Sequence, residues 1–350
     1  MKKLFISALV CATSLTSTLT MAQDVPACTD CHVNLAPKGI MSDHLHKPGE
    51  YMLSYTFMRM DMGGNRNGTN SLSPEEVITF ANPNAGPANL RVVPTEMTMD
   101  MHMIGGMFGI TDKITGMVMA NYLDNSMDHI TFNMAGTARI GEFTTESSGF
   151  GDTEVGGIFS LYKNGAHGLN GQLSLSLPTG SITESDDVLT PMGGRPTLRL
   201  PYMMQLGSGT YDLRPALTYT HLTNDWTFGG SYNARIHLGR NDEGYTRGDW
   251  HELSTWAGYQ FDETLGVSSS LKFRTEGKID GADSEITAPV QTADPGNYGG
   301  EKIKLGLNAG WKFYNQQTAK IGVEIPLYQN LNGPQMEDDY ALSLRWQNSF

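Results

Sequence analysis

Beyond residue 22, this chain of 350 residues contains no run of about 18 apolar residues, which excludes a membrane-spanning helix. Basic residues are scarce, 24 Lys and Arg against 37 Asp and Glu. That imbalance argues against nucleic acid as a partner. Familiar catalytic signatures are missing as well: no G-x-S-x-G elbow, no P-loop and no H-E-x-x-H helix. No catalytic residue is therefore assigned, and an enzyme is not expected. Cysteine is rare, with three in all, and only Cys28 and Cys31 follow the N-terminal apolar segment.

That segment is the first positive signal. Lys2 and Lys3 precede an apolar stretch from Leu4 to Met21, then Ala22 and polar Gln23-Asp24. The pattern predicts a secretory signal peptide over residues 1–22, cleaved after Ala22. Its removal takes the 24 basic residues to 22 against 37 acidic ones, a formal charge of −15. Export, 40 glycines and a modest apolar fraction suit a membrane β-barrel, whose turns need Gly and whose lumen is polar.

The strand pattern points the same way. Tyr340, Leu342, Leu344, Trp346 and Phe350 line one face of a terminal segment, and the intervening residues are mostly polar. An apolar-faced last strand ending on an aromatic resembles the C-terminal signature of bacterial outer-membrane barrels, through which the barrel assembly machinery would recognise the chain. Ile303, Leu305, Leu307, Ala309, Trp311 and Phe313 alternate with Lys302, Lys304, Gly306, Asn308, Gly310 and Lys312. A turn at 315–317 leads into Ala319, Ile321, Val323, Ile325 and Leu327. Each such strand has the roughly 9–11 residues needed to cross a bilayer. Twelve strands are expected, near 50–62, 94–109, 114–132, 152–162, 167–178, 210–221, 225–239, 248–261, 264–279, 300–314, 318–331 and 339–350. Short turns follow every second strand, and longer loops fall at 63–93, 133–151, 179–209 and 280–299. The expected fold is all-β: a transmembrane antiparallel up-and-down β-barrel of about twelve strands over 50–350. It is monomeric and set in outer-membrane lipid of a Gram-negative bacterium, with a short periplasmic N-terminal segment over 23–49.

Several stretches are similar to the outer-membrane family named for the meta-pathway of phenol degradation. They are Asp43-His44-Leu45-His46-Lys47-Pro48-Gly49-Glu50, Met52-Leu53-Ser54-Tyr55, Met58-Arg59-Met60-Asp61-Met62, Gly64-Asn65-Arg66-Asn67-Gly68-Thr69 and Pro94 through Met103. Gly149-Phe150-Gly151-Asp152 and Leu177-Pro178-Thr179-Gly180 complete the set. They cover roughly the first half of the mature chain. The resemblance implies a barrel that passes or binds small molecules, and supplies no catalytic residues. Cys28 to His32 stands outside that family pattern.

Cys28-Thr29-Asp30-Cys31-His32 has the spacing for covalent c-type haem attachment, with His32 as the proximal ligand. Met41, His44 or His46 could supply the distal ligand. A tight disulfide, or a copper or zinc site that includes the nearby histidines, fits the same residues. On residues 96–103 the polarity rule turns Glu96, Thr98, Asp100 and His102 toward the lumen and Met97, Met99, Met101 and Met103 toward lipid. Met58, Met60 and Met62 then face the lumen, where with His102 they could hold soft Cu(I). The later strands place Arg235, His237, Lys272, Arg274, Lys302, Lys304, Lys312, Lys320 and Arg345 on polar faces, against Glu252, Glu276 and Glu324. Such a wall would favour anionic solutes, unless the charges pair across the barrel. The expected function is passive passage of small solutes, aromatic or anionic, with copper or haem binding as the alternative.

Overall fold

The structure, a computed structural model, describes residue 33, residues 35–314 and residues 316–350. Twelve strands build the wall: β1 Tyr51–Gly68, β2 Val92–Thr111, β3 Ile114–Phe132, β4 Arg139–Phe150, β5 Thr153–Asn164, β6 His167–Leu177, β7 Tyr211–Leu222, β8 Trp226–Leu238, β9 Trp250–Gln260, β10 Leu265–Glu276, β11 Gly300–Tyr314 and β12 Gln317–Ser349. Neighbours pair antiparallel around a closed sheet, and β12 returns to β1. Backbone bonds from Tyr51 N to Phe350 O and from Phe350 N to Tyr51 O complete the seam. Closure leaves no free edge at the seam, the condition for strands to cross a bilayer.

An all-antiparallel ring needs an even number of passes, and two details supply it. β12 pairs with β11 over Gln317 to Leu331 and with β1 from Leu331 to Ser349, so it doubles back and counts twice. Gly333, at φ +77°, sits in that reversal. β4 and β5 run in one direction along β3, with Tyr122 opposite Phe150 and Met119 opposite Glu154. They form a single pass broken at 151–152. The wall is thus crossed twelve times, as the alternation predicts.

Outward positions explain the alternation. Leu53, Tyr55, Ile104, Val118, Leu217, Leu271, Leu307 and Leu344 are exposed on the outer surface, an apolar belt of the kind that faces lipid. Connections at one end are short, at 112–113, 165–166, 223–225 and 261–264. Those at the other end are longer, notably 69–91, 178–210 and 277–299. These loops fold over the mouth, where Tyr202, Tyr245, Ile286 and Val290 pack with Val92 and Phe143 of the wall.

Two expectations are corrected. Residues 133–151, expected as a loop, contain β4. Its outward side carries Glu142, Thr144, Glu146 and Ser148, and its inward side includes Thr145 and Ser147, so no apolar alternation marks it. The strands β1, β2 and β3 also reach 18, 20 and 19 residues. They rise past the apolar belt on one side of the barrel, beyond the polarity break where the sequence reading ended the first strand.

Candidate functional site

The interior of the barrel is occupied by its own chain. Residues 35–47, expected to hang outside as part of a periplasmic extension, run inside the wall. Leu35 lies against Gly258 and Gly266, where any side chain would collide with it. Ala36 and Ile40 pack on Trp256, while Met41 and Leu45 pack on Met52, Met107, Met117 and Ile158. A turn at Gly39 (φ +88°) lies within the segment, and one at Gly49 (φ +83°) follows it. Lacking strand partners, its backbone carbonyls are satisfied by lumenal side chains. Lys320 Nζ donates to Ala36 O at 2.6 Å, Lys272 Nζ to Lys38 O at 2.7 Å, and Asn170 Nδ2 to Ser42 O at 2.9 Å. Ser42 Oγ sits 2.7 Å from Thr218 Oγ1 in a buried pair, and His46 N donates to Thr115 Oγ1 at 3.0 Å. Gly109 must lack a side chain because the Lys47 carbonyl occupies the space a Cβ would take.

One wall of the remaining lumen is methionine. Directly opposed residues on antiparallel strands point to the same side. The register sets Met52 against Met107 and Met107 against Met117, Met58 against Met101, and Met60 against Met99. Met62 lies against Met97, and Met97 against Met127. Met97 and Met127 are fully buried and join Leu200, Met204 and Met336 beneath the loops. A column of thioethers therefore runs from the loop end toward the short-turn end.

This overturns the expected orientation of residues 96–103. Met97, Met99, Met101 and Met103 face inward; Glu96, Thr98, Asp100 and His102 face outward. His102 Nδ1 lies 2.7 Å from Tyr55 Oη, and Asp100 pairs with Arg59, both on the outer surface. His102 consequently cannot join Met58 and Met60 in a metal site. The polarity rule fails because this stretch climbs above the apolar belt, where outward carboxylates meet water and the protected side is the lumen.

The rest of the wall is charged, and many of its cations are paired with carboxylates. Lys272 Nζ lies 2.7 Å from Glu324 Oε1, and Lys38 Nζ of the inner segment 3.4 Å from Glu324 Oε2. Lys302 and Lys304 share Asp338, at 2.7 and 2.6 Å. Arg235 reaches Asp212 and Asp152, and Arg274 pairs with Glu276 at 2.9 Å while covering the Trp250 ring. Lys272, Lys302, Lys304, Arg235 and Arg274 of the expected basic wall thus each have a carboxylate partner. Asp152, Asp212 and Asp338 were missed in the sequence: Asp152 lies at the break between β4 and β5, and Asp338 beside the β12 reversal. Asp212, inward on a recognised strand, carried the clearest readable signal.

The break at 151–152 also weakens the wall. β4 bonds to β3 along one edge, and among the described residues no strand pairs with its other edge. The segment 180–208 covers it through side chains: Glu146 N donates to Asp186 Oδ2, Ser147 Oγ to the Met204 carbonyl, and Ser208 N to Asp152 Oδ2.

Met41, His44 and His46 belong to the inner segment. Cys28, Cys31 and His32 lie outside the described residues. Among the described residues no group of three or more His, Cys, Asp or Glu is placed to hold a metal ion.

No family model matches the chain, and no curated protein matches it. Solved structures do. The COG4313 outer membrane channel from Pseudomonas putida F1 superposes with a TM-score of 0.58 at 14% identity, covering 91% of this chain and 100% of that one. The P. putida toluene transporter TodX gives 0.43 at 8% identity, covering 87% and 93%. A Pseudomonas aeruginosa FadL homologue gives 0.44 at 8%, covering 86% and 90%. The first of these likenesses, with the closed strand register, gives this chain the fold of an outer-membrane β-barrel.

Proposed function

We propose that this protein is an outer-membrane channel for small apolar solutes, aromatic ones included, held closed by residues 35–47. The inward methionine column is the observation that carries this reading. Thioether side chains are apolar, polarizable and flexible, and adapt to ring-shaped ligands of varied outline. Carboxylate partners on Lys272, Lys302, Lys304, Arg235 and Arg274 weaken the pull on anions, so apolar solutes are favoured over anionic ones. The fold shared with a P. putida outer membrane channel supports transport, and the outer membrane as its location. The side-chain-sealed edge of β4 offers the weakest section of wall beside the methionines.

The test compares uptake of a small neutral aromatic with that of a carboxylate of equal size, in cells with and without the protein. Expression should speed only the aromatic. Met97→Lys or Met127→Lys, which places a charge among buried thioethers, should cut that gain by about tenfold or more. Equal transport of the carboxylate, untouched by either substitution, would defeat the proposal. A related result concerns ion preference. Lys304→Gln and Arg274→Gln should alter anion over cation selectivity of any residual current by less than about twofold, because each cation is already compensated. A collapse of strong anion preference on neutralising them would restore the basic-wall reading.

A further inference from the structure

We infer that the inner segment and the methionine rung beneath it form a site for a soft monovalent metal ion, Cu(I) or Ag(I). The ligands are His46 Nε2 and thioethers of Met52, Met107 and Met117. This goes beyond solute passage and rests on a different observation, the state of His46.

The His46 side chain is only 4% exposed, and its Nδ1 lies 3.2 Å from Glu50 Oε1. Donation from Nδ1–H to that carboxylate puts the lone pair on Nε2, the arrangement that second-sphere carboxylates impose on metal-binding imidazoles. Nε2 is buried, and no protein group hydrogen-bonds it. Leaving a buried acceptor unpaired is costly, so it calls for a partner.

The surroundings indicate which partner. The His46 backbone is fixed to Thr115, two residues before Met117 on the same inward face. Across from Thr115 is Gly109, two residues beyond Met107, and Met107 itself lies between Met117 and Met52. All three methionines are buried, and Met41 packs on them from the inner segment. Thioethers are neutral soft donors that bind Cu(I) and Ag(I) and give little to Ca²⁺, Mg²⁺ or Zn²⁺. A singly charged ion also suits a neutral donor set in which Glu50 acts through the imidazole. Binding involves no electron transfer: the ion enters and stays in the +1 state.

The experiment uses the full mature chain carrying Cys28→Ser/Cys31→Ser, so that the thiols do not compete for metal. Ag(I), a redox-stable probe, is titrated calorimetrically into folded barrel, and Cu(I) is followed anaerobically against a chromophoric chelator. One ion per chain should bind. Met107→Leu/Met117→Leu should abolish this binding, and Glu50→Gln should weaken it by about tenfold to a hundredfold. Met60→Leu, two rungs away, should leave it unchanged. X-ray absorption of the Cu(I) form should show sulfur and nitrogen neighbours together. Zn²⁺ binding as tight as Ag(I), a coordination shell without sulfur, or affinity indifferent to both the methionine pair and Glu50 would each overturn the site. Because the methionine pair and Glu50 are changed to residues of similar volume, a folded barrel is retained for the comparison.

Discussion

Deleting residues 35–47 raises single-channel conductance in planar bilayers on the order of tenfold, because the segment fills the lumen that a permeant must cross. The deletion removes two layers of obstruction. Ala36 and Ile40 with Trp256 block the short-turn end, and Met41 and Leu45 fill the space beside the Met52–Met107–Met117 rung. The wall keeps its own hydrogen-bonded ladder without them. The barrel should therefore fold and show the heat-modifiable mobility of an intact one. A covalent lock gives the complementary result. Ser42 and Thr218 stand with their hydroxyl oxygens 2.7 Å apart, close enough for a disulfide in Ser42→Cys/Thr218→Cys. Oxidation should hold the channel shut and slow aromatic uptake, and a reductant should restore it. If the deletion conducts no better than the intact chain, the loops rather than the inner segment close the lumen. If the oxidised lock transports at full rate, solutes pass without displacing residues 35–47.

The parts of this architecture that could be read in the sequence are those set by a two-residue repeat between lipid and lumen. β8, β11 and the first leg of β12 carry the apolar alternation over most of their length, so their positions and turns were legible to within a few residues. The rule held only where lipid faces the outside. On β2 it reversed, because Glu96, Asp100 and His102 have left the belt while Met97 and Met99 line a dry interior. β4 was invisible because neither of its faces is distinctly apolar. The inner segment was illegible for another reason. Its carbonyls are satisfied by Asn170, Lys272 and Lys320, more than a hundred residues away, and nothing local in residues 35–47 announces those partners. Its histidines and Met41 were singled out as ligands from their chemistry alone; the structure adds the methionine rung against which Met41 packs.

The largest stability effect is expected at Glu324. Its carboxylate takes Lys272 Nζ at 2.7 Å on one oxygen and Lys38 Nζ at 3.4 Å on the other, so one acid serves two ammonium groups. Glu324 is 12% and Lys272 6% exposed, too little for water to replace the lost partner. Glu324→Gln preserves shape but leaves both cations without a counter-charge, a loss of about 3–5 kcal/mol for breaking a buried pair. Reversible urea unfolding in detergent or lipid should show it as a lower midpoint with an unchanged slope. The same substitution removes the ion pair between Lys38 and the wall. Conductance should therefore rise toward that of the deletion, and the residual current should gain a preference for anions. Lys272→Met/Glu324→Gln separates the two consequences. Removing the second charge with a residue of similar volume recovers much of the stability, as expected when the penalty lies in the stranded cation and not in the lost contact. Lys38 still lacks its partner, so this double variant should keep the raised conductance. A Glu324→Gln barrel as stable as the wild type, with unchanged current, would mean that water reaches these ammonium groups and that the charged node neither supports the wall nor holds the inner segment in place.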